Sequence, residues 1–157
     1  MGDFVLETRV WIGRPRPDVF AFVADPANVA RVMPPALDVT LLTRAPVTME
    51  AGAVVDYGVR WLGVPLRWRA FVREYDPPYR FVDVQVRGPW ARWEHRHLFL
   101  EEDGGTRMED RVTYRPPLGP LGNLAHTLLL RRQLARAWRA RREGIARYLG
   151  PIRPLAG

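Results

Sequence analysis

WEHRHLFLEEDGGTRMEDRVTY, residues 93–114, reads as two alternating runs joined at Asp103-Gly104. A two-residue Asp-Gly link favours a type I′ hairpin, whose two central residues both take positive φ. That turn sets the register: Phe99 falls opposite Met108, His97 opposite Asp110, His95 opposite Val112 and Trp93 opposite Tyr114. One face then collects Trp93, His95, His97, Phe99, Met108, Asp110, Val112 and Tyr114. The other collects Arg92, Glu94, Arg96, Arg107, Glu109, Arg111 and Arg115. A sheet with one buried and one solvated face is the expectation.

The period-two pattern extends upstream to about residue 37, punctuated at Gly52, Gly63, Pro77-Pro78 and Gly88-Pro89. These links leave no room for crossover helices, so the strands must pair mainly antiparallel. On the strand FVDVQV, residues 81–86, both faces suit burial. The preferred orientation turns Val82, Val84 and Val86 away and brings Phe81, Asp83 and Gln85 in beside His95 and Trp93. The same period groups Val55, Tyr57, Val59 and Trp61 on one strand, and Leu66, Trp68, Ala70 and Val72 on the next.

Residues 4–12 form a first strand, and DVFAFVADPANVARVM, residues 18–33, reads as two short helices broken at Pro26, with Asp25 capping the second. Beyond PPLGPLG (116–122), a final helix runs from roughly Leu121 to Leu149. Its expected apolar stripe is Leu121, Leu124, Leu128, Ala135, Trp138, Ile145 and Leu149, with Arg131, Arg132, Arg136, Arg139, Arg141, Arg142 and Arg147 on the solvated remainder. His126 falls either near the pocket mouth or on the surface.

Composition narrows the chemistry. The chain has 157 residues, 47% hydrophobic and 26% charged, in keeping with one globular domain over 1–157. Cysteine is absent, which excludes thiolate nucleophiles and Cys-ligated metals. Every basic residue is Arg, which excludes lysine Schiff bases and a lysine-dependent phosphate loop. Residues 1–117 carry sixteen Arg and sixteen acids, whereas 118–157 carry eight Arg and Glu143 alone. The whole net charge of +7 lies in the C-terminal segment. The first residues show neither a basic leader followed by an apolar run nor a spanning stretch, so a cytoplasmic location is expected.

Three stretches, VFAFVADPANVARVMPPAL (19–37), FVDVQVRGPWARWEHRHLF (81–99) and DRVTYRPPLGPLG (110–122), resemble the START-like SRPBCC superfamily of helix-grip proteins. Its members include lipid-transfer domains, plant Bet v 1 allergens and polyketide cyclases, and the three stretches are most similar to bacterial ligand-binding or cyclase/dehydrase-like members. The resemblance covers nearly the full chain and implies an α+β fold: a curved antiparallel sheet of six to seven strands around a long C-terminal helix, with two short helices after strand 1. It also implies a cavity for a small hydrophobic ligand such as a lipid or polyketide. No single reaction is common to these members, and fold does not dictate function.

The residues expected at that cavity are Tyr57, Trp61, Trp68, Asp83, Gln85, Trp93, His95, His97, Met108, Asp110 and Tyr114. His95-x-His97 sets two imidazoles on one strand face, with Asp110 opposite the second. The trio suits a buried hydrogen-bonded network, proton transfer by a cyclase/dehydrase-like enzyme, or a two-His-one-carboxylate metal site. The network is the favoured reading, so a non-enzymatic binding protein stands ahead of an enzyme, and no metal is expected. With no nucleotide or flavin motif, no organic cofactor is expected either. A protein-docking module is a third alternative. The PPLGPLG segment and the loop around Gly63 are candidate gates. The Arg-rich helix face suits solvent or an anionic membrane surface, and its lack of stacking aromatics argues against nucleic acid. Oligomeric state is not fixed by the sequence.

Overall fold

The computed structural model describes residues 2–156. Strand β1 (Phe4–Ile12) leads into α1 (Arg16–Ala24) and α2 (Pro26–Val32), and a 3-10 turn (Pro35–Leu37) precedes the short β2 (Thr40–Leu41). The meander β3 (Val54–Trp61), β4 (Val64–Asp76), β5 (Arg80–Arg87), β6 (Arg92–Glu102) and β7 (Gly105–Arg115) follows. Helix α3 (Gly119–Ala125), a π-helical turn (His126–Leu130), α4 (Arg131–Leu149) and β8 (Ile152–Pro154) complete it. The eight strands form one sheet in the order β2-β3-β4-β5-β6-β7-β1-β8, each neighbouring pair antiparallel.

The β6–β7 hairpin has the register set by its turn. Asp103 and Gly104 take φ of 49° and 71°, and Phe99, His97, His95 and Trp93 face Met108, Asp110, Val112 and Tyr114. All eight of these side chains are buried. The outer face carries matched charges, including Arg69 on both oxygens of Asp56 at 2.8 and 3.0 Å and Arg73 on Glu94 at 3.0 Å. This is where the balanced Arg and acid content of residues 1–117 is placed. Asp25 caps α2 by accepting a hydrogen bond from the Ala27 backbone N–H at 2.9 Å.

Two features differ from expectation. The sheet has eight strands rather than six or seven, because β2 and β8 span only two and three residues. Neither is long enough to show an alternation, and β8 contains Pro154 at a sheet edge. The helical stripe also differs. Of the expected stripe Trp138, Ile145 and Leu149 are buried, whereas Leu121, Leu124, Leu128 and Ala135 are exposed, and Leu130, Leu134 and Arg141 are buried in addition. The π turn closes with a bond from the Arg131 N–H to the His126 carbonyl. An i→i+5 turn inserts a residue into the repeat, so the phase read from Leu121 does not carry into α4. His126 is buried beneath this turn, its Nε2 2.7 Å from the Tyr114 hydroxyl and its ring stacked on Phe4.

Helix α4 seats closely on α2. A Cβ at Gly144 would lie 2.6 Å from the Val32 carbonyl oxygen and 2.7 Å from its Cα, so only glycine allows the two backbones to meet. The interior divides into two apolar clusters. One gathers Ile12, Phe20, Phe81, Phe99, Met108, Ile145 and Leu149; the other gathers Trp90, Trp93, Val112, Tyr114, Leu130, Leu134 and Trp138.

Candidate functional site

The two clusters leave a polar band between them. Along β6, His95 and His97 fall between Trp93 and Phe99; along β7, Asp110 falls between Val112 and Met108; along α4, Arg141 falls between Trp138 and Ile145. Buried charges persist only when paired, and here each has a partner. His95 Nε2 lies 2.9 Å from Asp110 Oδ1, and His97 Nδ1 lies 2.9 Å from the same oxygen. Arg141 Nη1 donates to Asp110 Oδ2 at 2.8 Å. His97 Nε2 meets Asp83 Oδ2 at 3.1 Å, from the strand on the other side of β6.

The protonation states follow from this geometry. Burial pushes the Asp110 carboxyl up, but the Arg141 charge and its contacts with His95 and His97 outweigh burial and hold it well below the ordinary carboxylate range. Asp83 is likewise held low: burial is outweighed by the His97 hydrogen bond and by neighbouring positive charge. For His97, burial alone would lower the pKa, yet interactions with Asp110 and Asp83 raise it above its usual value. For His95, burial and the charge of His97 lower it to about 4. Of the two rings, His97, set between two carboxylates, is thus the one whose charged form is favoured, and His95 the one that burial keeps neutral. Because ionised Asp110 takes the proton on His95 Nε2, the lone pair sits on Nδ1.

This band forms one wall of a cavity of about 210 Å³ lying between the concave face of β3 to β6, α2 and α4. Asp83, His95, His97 and Arg141 line it on that side. Elsewhere the wall is largely apolar and aromatic, with Val55, Trp61, Trp68, Trp90, Trp93 and Trp138. The Tyr57 phenol, also in the wall, is raised by burial and stays neutral. Asp83, His95 and His97 each offer one ligand atom within 4.8 Å of the others, so among the described residues this group could hold a metal ion. In the structure, the Asp83–His97 contact is already closed by a hydrogen bond.

The model of a protein family described as polyketide cyclase/dehydrase and lipid transport matches residues 12–139, most of the chain. The chain belongs to that family. No curated protein matches it. As a member of the polyketide cyclase/dehydrase and lipid transport family, it shares its fold with TTHA0849 from Thermus thermophilus, at 20% identity and a TM-score of 0.70 over 90% of this chain and 94% of that one. The di-domain ARO/CYC StfQ of the steffimycin biosynthetic pathway aligns at 14% identity and a TM-score of 0.71, over 94% of this chain and 51% of that one. Ara h 8.0201 aligns at 12% identity and a TM-score of 0.62, over 92% of this chain and 99% of that one. The TM-scores show a shared helix-grip fold. The family description joins cyclase/dehydrase chemistry with lipid transport.

Of the residues expected at the cavity, this family member brings Tyr57, Trp61, Trp68, Asp83, Trp93, His95 and His97 to its wall. Asp110 lies behind the two histidines and orients them. Met108 packs within the Phe99 cluster, and Tyr114 turns to His126 in the other. Gln85 clasps the β5–β6 loop: its Nε2 donates to the Trp90 carbonyl at 2.8 Å and its Oε1 accepts from the Trp90 N–H at 3.3 Å. That clasp seats Trp90 in the wall, a residue the sequence reading did not select. Arg141, expected on the solvated face, is buried and joins the wall as well. The signal was its spacing, three residues after Trp138 and four before Ile145, which sets an arginine on the buried stripe.

Proposed function

We propose that the chain binds a small, largely apolar molecule carrying one oxygen function, a carbonyl or hydroxyl, directed at the polar band. One observation carries this reading: an aromatic cavity with its charged groups gathered on a single wall. Burial of apolar surface supplies affinity, and a few convergent polar groups fix orientation. Arg141, which uses only Nη1 on Asp110, has further N–H donors for a carbonyl, and the free nitrogen of His95 offers an acceptor to a hydroxyl. Carriage comes first, because every charge in the band is paired within the protein and no group needs a reaction to satisfy it.

A cyclase/dehydrase-like activity is the second reading, favoured by a protonated His97 beside a neutral His95, their ring centroids 3.7 Å apart. Such a pair holds a proton donor and a proton acceptor on one wall. In that reading Asp110 and Asp83 orient the rings.

The test is native mass spectrometry of the chain purified from the cells that produce it, followed by denaturing extraction. Carriage predicts one small apolar compound per chain, released on unfolding. A released compound that differs chemically from the one supplied, with conversion lost in His97→Ala and binding retained, moves the assignment to catalysis. A chain that carries no such compound contradicts carriage.

A further inference from the structure

The leucines that leave the buried stripe form a surface of their own. Leu118, Leu121, Leu124, Leu128 and Leu129 are 79%, 72%, 59%, 66% and 48% exposed. Spacings of three and four put Leu121, Leu124 and Leu128 on one helix face, with exposed Leu118 at the residue before the helix and exposed Leu129 within the π turn. The segment is anchored from beneath, where buried His126 is bonded to Tyr114 and stacked on Phe4, so its leucines point outward from a fixed seat. The helix then continues into α4, where Arg131, Arg132, Arg136 and Arg139 are all exposed. Among the described residues, none of these four arginines is ion-paired, and Glu143 is the only acid between residues 118 and 157. This contrasts with the sheet, whose arginines are largely matched by carboxylates.

We propose that this face docks on an anionic lipid bilayer. A helix with exposed leucines beside unpaired arginines fits the interface plane, with the apolar side chains at the acyl boundary and the guanidiniums on phosphate groups. No helix of the described residues is long and apolar enough to cross a membrane, so the contact is peripheral. A second copy of the chain fits the face less well, since a two-fold contact would bring the same unpaired arginines together. Nucleic acid would engage the arginines but leave the leucines in water, and no aromatic side chain lies among them for bases to stack on. The docking does not depend on what the cavity holds. It does place the helix that lines the cavity, through Leu134 and Trp138, directly after the membrane-facing segment.

The experiment is co-sedimentation of the full chain with vesicles of equal parts phosphatidylglycerol and phosphatidylcholine, and with phosphatidylcholine alone. The expected result is binding to the anionic vesicles that weakens with added salt and falls about tenfold or more in Leu121→Ser/Leu124→Ser/Leu128→Ser. These side chains are exposed, so the variant should keep its melting temperature. Arg131→Gln/Arg132→Gln should weaken binding as well. The proposal is overturned if the chain stays in solution with anionic vesicles at low ionic strength. It is equally overturned if the leucine variant binds as well as the parent, or if the parent is a dimer that the leucine substitutions dissociate.

Discussion

Replacing Asp110 with alanine should destabilise the fold by about 3–5 kcal/mol, among the largest effects of any single substitution in this chain. Asp110 is 3% exposed and is the common partner of His95, His97 and Arg141. Its removal leaves the buried Arg141 guanidinium without its carboxylate and both histidine rings without the oxygen they share, with Asp83 the one carboxylate remaining in the band. The loss is an uncompensated charge rather than a missing contact, which is why it exceeds the cost of an ordinary hydrogen bond. Urea unfolding checks it as a lower midpoint with little change in slope. The double variant Asp110→Leu/Arg141→Met should recover part of the loss, because replacing both members of a buried pair by apolar side chains removes the desolvation cost as well as the attraction. A loss below about 1 kcal/mol for Asp110→Ala would mean that the band is reached by water and is not held internally.

The second large effect is expected at Gly144. In an open helix, glycine to alanine adds roughly 1 kcal/mol of stability through propensity. Here the added Cβ meets the Val32 backbone at 2.6 Å, and backbone cannot swing aside as a flexible side chain can. Gly144→Ala should therefore destabilise by about 1–3 kcal/mol and separate α4 from α2. The sign is diagnostic: a raised melting temperature would show that the two helices do not touch at this point. The consequence reaches the cavity, since α2 contributes Asn28, Val29 and Val32 to its wall and α4 contributes Leu134, Trp138 and Arg141.

How far these features can be read from the sequence depends on the range of the interaction that sets them. The hairpin is legible because Asp103-Gly104 fixes a turn, the turn fixes a register, and alternation fixes which face is buried. His95, His97 and Asp110 come together on that logic alone. Asp83 needs one more step, the orientation of β5, and its side chain does face His97. The phase of the last helix is a different case. The leucines at 121, 124 and 128 have the spacing of a core stripe, but a π turn that appears only when the backbone is placed rotates them outward. Composition gives the number of arginines and not their partners, so Arg141 reads like its six neighbours on α4 until a buried carboxylate is found opposite. Gln85 shows the same limit on a smaller scale. Its inward position is readable from the period, whereas its bonds to the Trp90 backbone depend on how the β5–β6 loop folds back.

A ligand cavity between the sheet and the C-terminal helix can be probed by titration with anilinonaphthalene sulfonate, comparing the parent chain with Ala137→Phe. Ala137 lies on the cavity wall, and the phenyl ring would occupy space that a ligand needs. Trp61, Trp68, Trp90, Trp93 and Trp138 surround that space, so a dye inside it quenches tryptophan emission. The expected result is one saturable site per chain, weakened about tenfold or more in Ala137→Phe with no loss of melting temperature. Equal affinity in the two proteins, or binding that does not saturate at one dye per chain, would contradict a ligand cavity between the sheet and the C-terminal helix.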